Sequence, residues 1–281
     1  MIETTGMQSS CAPQTIGSEV DYKYATFNAH RPGHGESLRL KAGQRVLMRL
    51  LNASATENCV LALPGHKFRI LTMDGNSVLY QREVETLSLA VAECVDAIVE
   101  MNNPGVWILG STIAKERDMG LGLVVEFGSK SGPSVWNDPA SAAWNCPQSA
   151  DSGPAPDVRE TFTLTFRDSG PLNDLCFDTW TINNKSWPNT DMLKVQRVKR
   201  YRHLFRNGSG DQHPMHLHRQ TFEVTRIGGK QLRGLMKDVI NIVPLDTVAV
   251  HFVTDNPGET LMHCHQQLHK DHGFMQLIRY V

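Results

Sequence analysis

Two stretches concentrate the residue types that bind metals. One is Leu261-Met262-His263-Cys264-His265-Gln266-Gln267-Leu268-His269, and the other is His213-Pro214-Met215-His216-Leu217-His218. Together they hold one cysteine and six histidines. On a β-strand successive side chains point to opposite faces, so His263 and His265 share one face and Cys264 takes the other. One short stretch can therefore feed two metal sites on opposite sides of a sheet. A cysteine with two histidines and a weak axial group makes a blue-copper electron-transfer site. His269 lies five residues after Cys264, past the expected strand end. His213 precedes a proline, where the chain is extended or turning. His216 and His218 share a face at strand spacing and can join His263 and His265 around a second cluster.

These two stretches resemble the C-terminal copper motifs of the multicopper oxidases, the laccase-like family. The family pattern is His-Pro-x-His-Leu-His followed by His-Cys-His-x-x-x-His, with an axial position ten residues after the cysteine. Both halves match. The resemblance implies that His213, Cys264 and His269 are type 1 copper ligands, that His216 is a type 2 ligand, and that His218, His263 and His265 are type 3 ligands. The axial position falls on Phe274, which cannot coordinate. Loss of that ligand is expected to favour Cu(I) and raise the potential.

The rest of the chain must position these groups. Its 281 residues suggest two domains. An apolar content of 40% suffices for ordinary globular cores. Lys+Arg 28 against Asp+Glu 29 leaves a net charge of −1, which argues against a nucleic-acid or membrane-surface role driven by bulk charge. No apolar run approaches the roughly 18 residues of a membrane span. The first residues, Met1-Ile2-Glu3-Thr4-Thr5-Gly6, show no secretion signal, although relatives of this kind are often periplasmic or secreted. Once Cys264 is given to copper, five of the six cysteines remain (11, 59, 94, 146 and 176), which argues against a full disulfide framework.

Residues 1–19 are polar and read as a tail. From 20 to 128 the pattern is strand-like, with Leu38–Leu40, Arg45–Leu50, Glu93–Met101 and Leu121–Phe127 standing out. Residues 129–158 are rich in Ser, Gly, Pro, Asn and Asp and read as a linker. From 159 to 281 strands return at Glu160–Phe166, Arg200–Arg206, Phe222–Arg226, Val239–Val243 and Thr247–Val253. No long helical periodicity is present. The expected class is all-β, two Greek-key β-sandwich domains in tandem, and the resemblance implies that they are cupredoxin-like.

The halves read as copies of one unit. Asn103-Pro104-Gly105 recurs 153 residues later as Asn256-Pro257-Gly258, and the same offset pairs Gly120 with Gly273. Under this register Gly110, Ser111 and Thr112 stand where His263, Cys264 and His265 do. Glu116 stands for His269, and Leu121 for Phe274. Further upstream, Asn52 and Phe68 correspond to Asn207 and Phe222. The first half therefore reads as a copper-free copy of the second.

In the family the trinuclear O2 site takes four His-x-His pairs. This sequence holds two, His216/His218 and His263/His265. The resemblance covers the middle and last domains of a three-domain enzyme. The missing pairs are expected from an N-terminal cupredoxin domain, or from another chain in a homo-oligomer. The implied reaction takes single electrons from small phenolic or aromatic-amine reductants at the type 1 copper. It passes them through His-Cys-His and reduces O2. Two alternatives are a copper-binding electron-transfer module, and a truncated fragment without O2 chemistry whose uncovered face drives association. Asp271, close after His269, is a candidate for orienting a ligand or delivering protons. Asp238 and His272 are weaker candidates for a site role. The basic run Lys194–Arg206 reads as a solvated strand face.

Overall fold

The computed structural model describes residues 3–4, 22–32, 34–140, 153–167 and 178–281. The 1–19 tail, apart from a short strand at Glu3–Thr4, lies outside the described residues, as do Cys11, Cys146, Cys176 and residues 141–152 of the expected linker. The chain divides into two compact units, centred on Val20–Asn145 and Cys146–Val281. Among the described residues there are many short strands and two one-turn helices, Ala114–Met119 and Gln267–Asp271. No described helix is long and apolar enough to cross a membrane.

Each unit is a pair of sheets. In the first, Arg45–Leu51, Cys94–Glu100, Phe68–Met73 and Asn76–Ser77 form one sheet in that order. Leu38–Leu40, Gly122–Phe127, Gly105–Ser111, Cys59–Ala62 and Thr86–Leu89 form the other. In the second unit one sheet is six-stranded. Its order is Thr179–Ile182, Val158–Arg167, Arg200–Asn207, Thr247–Val253, Phe222–Ile227 and Lys230–Lys237. The five-stranded sheet runs Leu193–Val195, Met275–Tyr280, Thr260–Cys264, His213–Leu217 and Val239–Ile242. The strands expected from alternation are present with ends shifted by a residue or two. The architecture is the expected all-β class, a cupredoxin-type sandwich in each unit.

The repeat extends to topology and register. The strand Leu38–Leu40 joins Gly122–Phe127 in parallel, as Leu193–Val195 joins Met275–Tyr280. Ala97 pairs with Met48, and the matching Val250 pairs with His203. Asn52 donates through Nδ2 to the carbonyls of Glu57 (2.8 Å) and Leu89 (3.0 Å). Asn207 does the same to Asp211 (2.7 Å) and Ile242 (3.1 Å). Each asparagine thus ties the end of one sheet to a strand of the other. The repeated glycines have a steric cause. Gly120 and Gly273 follow the two short helices with φ of 117° and 108°. A Cβ at Gly120 would lie 2.4 Å from the Ala25 carbonyl oxygen, and one at Gly273 would collide with Ser186. Only glycine fits such positions.

The two cores differ in polarity. Around Met48 the first core is aliphatic and aromatic. His203 stands at the matching place, fully buried among Phe162, Tyr201, Phe205 and Phe252. Neither of its ring nitrogens has a hydrogen-bond partner. Burial pushes its pKa down to about 3. A polar group buried without partners costs about 1–3 kcal/mol. His203→Met, which copies the first unit, is therefore expected to raise the stability of the second unit by about that amount at pH 7. Between the unfolded pKa of about 6.5 and the folded value of about 3, the unfolded chain takes up a proton that the native chain refuses. The native state loses stability as pH falls through that window, so the advantage of His203→Met should grow there. Urea denaturation at pH 7 and pH 5 checks both, and a variant less stable than the parent at pH 7 would refute the account.

Candidate metal centre

The site grows from the pleat of two neighbouring strands. Thr260–Cys264 pairs antiparallel with His213–Leu217, setting Met215 against Cys264 and His216 against His263. Cys264 and Met215 face the core, with 0% and 1% exposure. His213, two residues before Met215, shares that inner face. The helix Gln267–Asp271 then returns His269 to it. The thiol sulfur lies 3.5 Å from His269 Nδ1 and 3.9 Å from His213 Nδ1, and the two nitrogens are 3.1 Å apart. Among the described residues this is the one group of three or more such donors whose ligand atoms all lie within 4.8 Å of one another.

Hydrogen bonds set the ring orientation. Ser209 Oγ donates to Asn207 Oδ1 (2.8 Å) and lies 2.7 Å from His213 Nε2. With its hydrogen spent on Asn207, the Ser209 oxygen accepts from His213 Nε2–H. The Nδ1 lone pair then faces Cys264 and His269. Burial, together with the neighbouring His269, holds His213 well below the usual imidazole pKa. Burial pushes His269 down to about 3 and drives the Cys264 thiol up. Phe274 is fully buried, its ring 4.8 Å from that of His213, and it offers no donor atom. Trp180 lies over His269 with ring centroids 3.8 Å apart. The Cys264 N–H donates to the Phe274 carbonyl at 3.1 Å, and the Phe274 N–H to the His269 carbonyl at 2.9 Å, so the ligand loop is stitched by its own backbone.

His216, His218, His263 and His265 meet on the outer face of the same sheet. Their ring centroids are 4.6 Å apart for His216 and His218, 4.9 Å for His218 and His263, 5.5 Å for His263 and His265, and 5.8 Å for His216 and His265. His216 Nδ1 donates to the Asp238 carbonyl and His263 Nδ1 to the Cys264 carbonyl, each at 2.8 Å. Both rings thus keep Nε2 unprotonated when neutral. His218 Nε2 approaches His263 Nε2 to 2.7 Å, so the His218 nitrogen carries the shared hydrogen. Burial and the adjacent imidazoles lower the pKa of His218, and burial brings His263 to about 4. His265 is lowered by burial, with Lys270 adding to it.

The structure therefore brings together the seven metal-type residues as two groups on opposite faces of one sheet. It does not bring Asp271 to either. That carboxylate is exposed and accepts from Gln267 Nε2 at 2.8 and 2.7 Å, with Lys270 beside it. Asp238 acts by its main-chain carbonyl as well as by its charge, which opposes the lowering at His218 and His265. Ser209 and Trp180 were not anticipated. Ser209 could have been found, because Asn207-Gly208-Ser209 repeats Asn52-Ala53-Ser54. Trp180 carries no signal of spacing.

In the first unit the matching positions are held by Cys59, Ser111 and Glu116. Ser111 Oγ donates to Glu116 Oε2 at 2.6 Å, so the two positions that match Cys264 and His269 satisfy each other. Burial, with the charge of Glu116 nearby, pushes the Cys59 thiol up to about 12.

A buried thiol and two imidazoles on a sheet-sandwich frame define a cupredoxin-type copper domain. Two family models described as multicopper oxidase match residues 12–124 and 155–280. The chain belongs to the multicopper oxidase family. Multicopper oxidase MmcO of Mycobacterium tuberculosis is 28% identical over 273 residues, covering 94% of this chain and 52% of that protein. Laccase-4 of Trametes villosa is 38% identical over 73 residues, 24% of this chain and 14% of the laccase. The laccase structure from Botrytis aclada superposes with a TM-score of 0.68 at 16% identity, covering 96% of this chain and 55% of its own. This chain spans about half the length of the relatives it matches over most of its sequence. Copper is the metal of the family, and the donor set at Cys264 fits it: one soft sulfur and two aimed nitrogens in a closed pocket.

Removing the hydroxyl that orients His213 should weaken that fit. Ser209→Ala is expected to lower copper affinity by about 10–100-fold, while Ser209→Thr, which keeps an acceptor oxygen, should lose much less. Competitive copper titration against a chelator measures both. Equal affinity in parent and Ser209→Ala would mean that packing alone orients the ring.

Proposed function

We propose that this chain is the electron-accepting part of a laccase-like copper oxidase. The observation that carries this reading is the buried Cys264–His213–His269 group backed, across one strand, by four histidines. In this reading His213, Cys264 and His269 hold a type 1 copper, His216 is a type 2 ligand, and His218, His263 and His265 are type 3 ligands. The bound copper supplies one-electron redox chemistry. The reductants are small phenols or aromatic amines, and O2 is the terminal acceptor.

The chain's own residues perform three tasks. Phe274 and Trp180 close the inner pocket to water. The Asn207–Ser209 pair and the ligand loop fix His213 and Cys264 before metal arrives, which lowers the cost of ordering them. Cys264 is joined by a single peptide bond to each of His263 and His265, so a covalent path leads from the inner face of the sheet to the outer. Asp271, exposed and tied to Gln267, serves this reading only as a surface group. The first unit, with Ser111 and Glu116 bonded to each other, is read as a copper-free copy.

Two His-x-His pairs supply half of the ligand set that four-electron chemistry needs in this family. The other half is assigned to a further cupredoxin domain or to a second chain. The competing reading is a copper module that carries electrons without O2 chemistry. Copper-loaded chain by itself is expected to hold about one blue copper and at most one further metal ion, with little O2 uptake. Elemental analysis with EPR on the same sample tests this, and about four coppers with rapid O2 uptake would refute it. Phe274→Met, which adds a weak axial sulfur, should lower the type 1 potential. A redox titration giving an unchanged or higher potential would remove Phe274 from the axial position.

A further inference from the structure

The two units differ at one sheet edge. In the second, the strand Arg200–Asn207 lies between Thr247–Val253 and the parallel strand Val158–Arg167. In the first, the matching strand Arg45–Leu51 pairs with Cys94–Glu100 on one side. Among the described residues it has no partner on the other side. The two strands correspond residue for residue, Val46 with Tyr201, Met48 with His203 and Leu50 with Phe205. Counted back by the same interval, Val158–Arg167 corresponds to residues 3–12. Glu3 and Thr4 instead pair with Tyr22–Tyr24. Residues 6–12 include no β-branched or aromatic residue, whereas Val158–Arg167 is built largely of them.

Burial records the difference. Tyr201 and Phe205 are 3% and 2% exposed, while Val46 and Leu50, on the same inner face, are only half-buried. On the outer face Leu47 and Leu51 are 48% and 63% exposed. An unpaired edge offers backbone N–H and C=O groups to any strand that fits, and such edges are commonly blunted by a bulge, a proline or a charge. Arg45–Leu51 has neither bulge nor proline, and runs seven residues in unbroken register with Cys94–Glu100. Its two charges turn toward that covered side, where Arg45 and Arg49 lie 3.8 Å from Glu100 and Asp96.

The sequence of this edge is complementary to itself. An antiparallel second copy centred on Met48 sets Arg45 opposite Leu51, Leu47 opposite Arg49, Val46 opposite Leu50, and Met48 opposite its own counterpart. The inner face is then apolar throughout, and no arginine meets an arginine. A slip of one residue would exchange the faces. A slip of two keeps the faces, but it sets Arg49 opposite Arg49 in one direction and Arg45 opposite Arg49 in the other. Like charges directly opposite destabilise a sheet.

We propose that Arg45–Leu51 is a dimerisation edge, at which two copies of this chain join antiparallel about a two-fold axis at Met48. The two first units then share one continuous sheet, and the half-buried Val46 and Leu50 are covered. The interface uses the same strand from both copies, so it closes at two. It gives the copper-free unit a task of its own, apart from the metal centre.

Sedimentation of the full copper-free chain over a range of concentrations tests this. A seven-residue pairing is at the weak end of specific interfaces, so a monomer–dimer equilibrium with a dissociation constant on the order of 10–100 µM is expected. Leu47 is exposed, so it can be changed without disturbing the core. Leu47→Lys sets a cation against the partner's Arg49, twice per dimer, and should weaken association about fivefold or more. Leu47→Glu sets an anion there and should associate at least as tightly as the parent at low salt, with that advantage lost at high salt. A chain that stays monomeric up to about 1 mM would overturn the proposal. So would a monomer whose Arg45–Leu51 amides all exchange slowly with solvent, since another part of the chain would then seal the edge. A dimer untouched by Leu47→Lys would place association elsewhere. One weakened equally by both substitutions would be an apolar contact without this register, and either result would sink the pairing.

Discussion

The pleat of a single strand carries the arrangement. In Thr260–Cys264 adjacent side chains must point to opposite faces, so Cys264 turns to His213 and His269 on one face and His263 to His216 and His218 on the other. The neighbouring strand His213–Leu217 obeys the same rule, and its register against Thr260–Cys264 decides which histidine serves which face. A slip of one residue would put Cys264 outside and His263 within. The pairing is fixed on both sides: Met215 and Leu217 fill the core opposite, and the Asn207 clasp holds the approach to His213 from the other sheet. The chemistry of the site is thus a consequence of strand register before it is a consequence of any side chain.

The comparison of the two units separates frame from function. Both contain the Asn-x-Ser turn, the sheet order and the glycine after the short helix. In the first unit Ser54 Oγ accepts from the Glu57 N–H at 2.9 Å. In the second unit the equivalent hydroxyl reaches His213. A structural turn and a ligand-orienting group are therefore the same feature, and the difference lies in whether Cys59 or a histidine stands opposite. Ser111 and Glu116 show the complementary state, in which the positions matching Cys264 and His269 form a direct hydrogen bond instead of a donor set.

Much of this was legible in the sequence because it depends on spacing. Alternation located the strands around the two motifs, and the His-Cys-His stretch told which side chains must part company. The offset between Asn103-Pro104-Gly105 and Asn256-Pro257-Gly258 exposed the repeat, since turn geometry constrains residue type. Contacts between groups distant in sequence were not legible. Trp180 reaches His269 from an edge strand of the other sheet, and no period links them. Asp238 matters through a backbone carbonyl, which every residue has. Asp271 drew attention by proximity to His269, but the helical turn that buries His269 leaves Asp271 exposed.

The second unit also shows what a metal domain asks of its core. Buried polar side chains are few in the first unit, where Asn52, Thr56, His66, Thr86 and Ser111 stand among aliphatic neighbours. In the second they include His203, His213, His263, His269, Lys237 and Gln276. Each such group costs stability unless its polar atoms find partners. His213 is answered by Ser209, and His263 by the Cys264 carbonyl and His218. The remaining nitrogen of His213, Nδ1, meets His269 Nδ1 and Cys264 Sγ, and a bound cation would satisfy these atoms together. His203 has no such answer, since neither ring nitrogen finds a partner. Polar burial alone therefore does not mark a site. The distinguishing feature is that the unsatisfied atoms of several residues face one another, as they do at Cys264 and do not at His203.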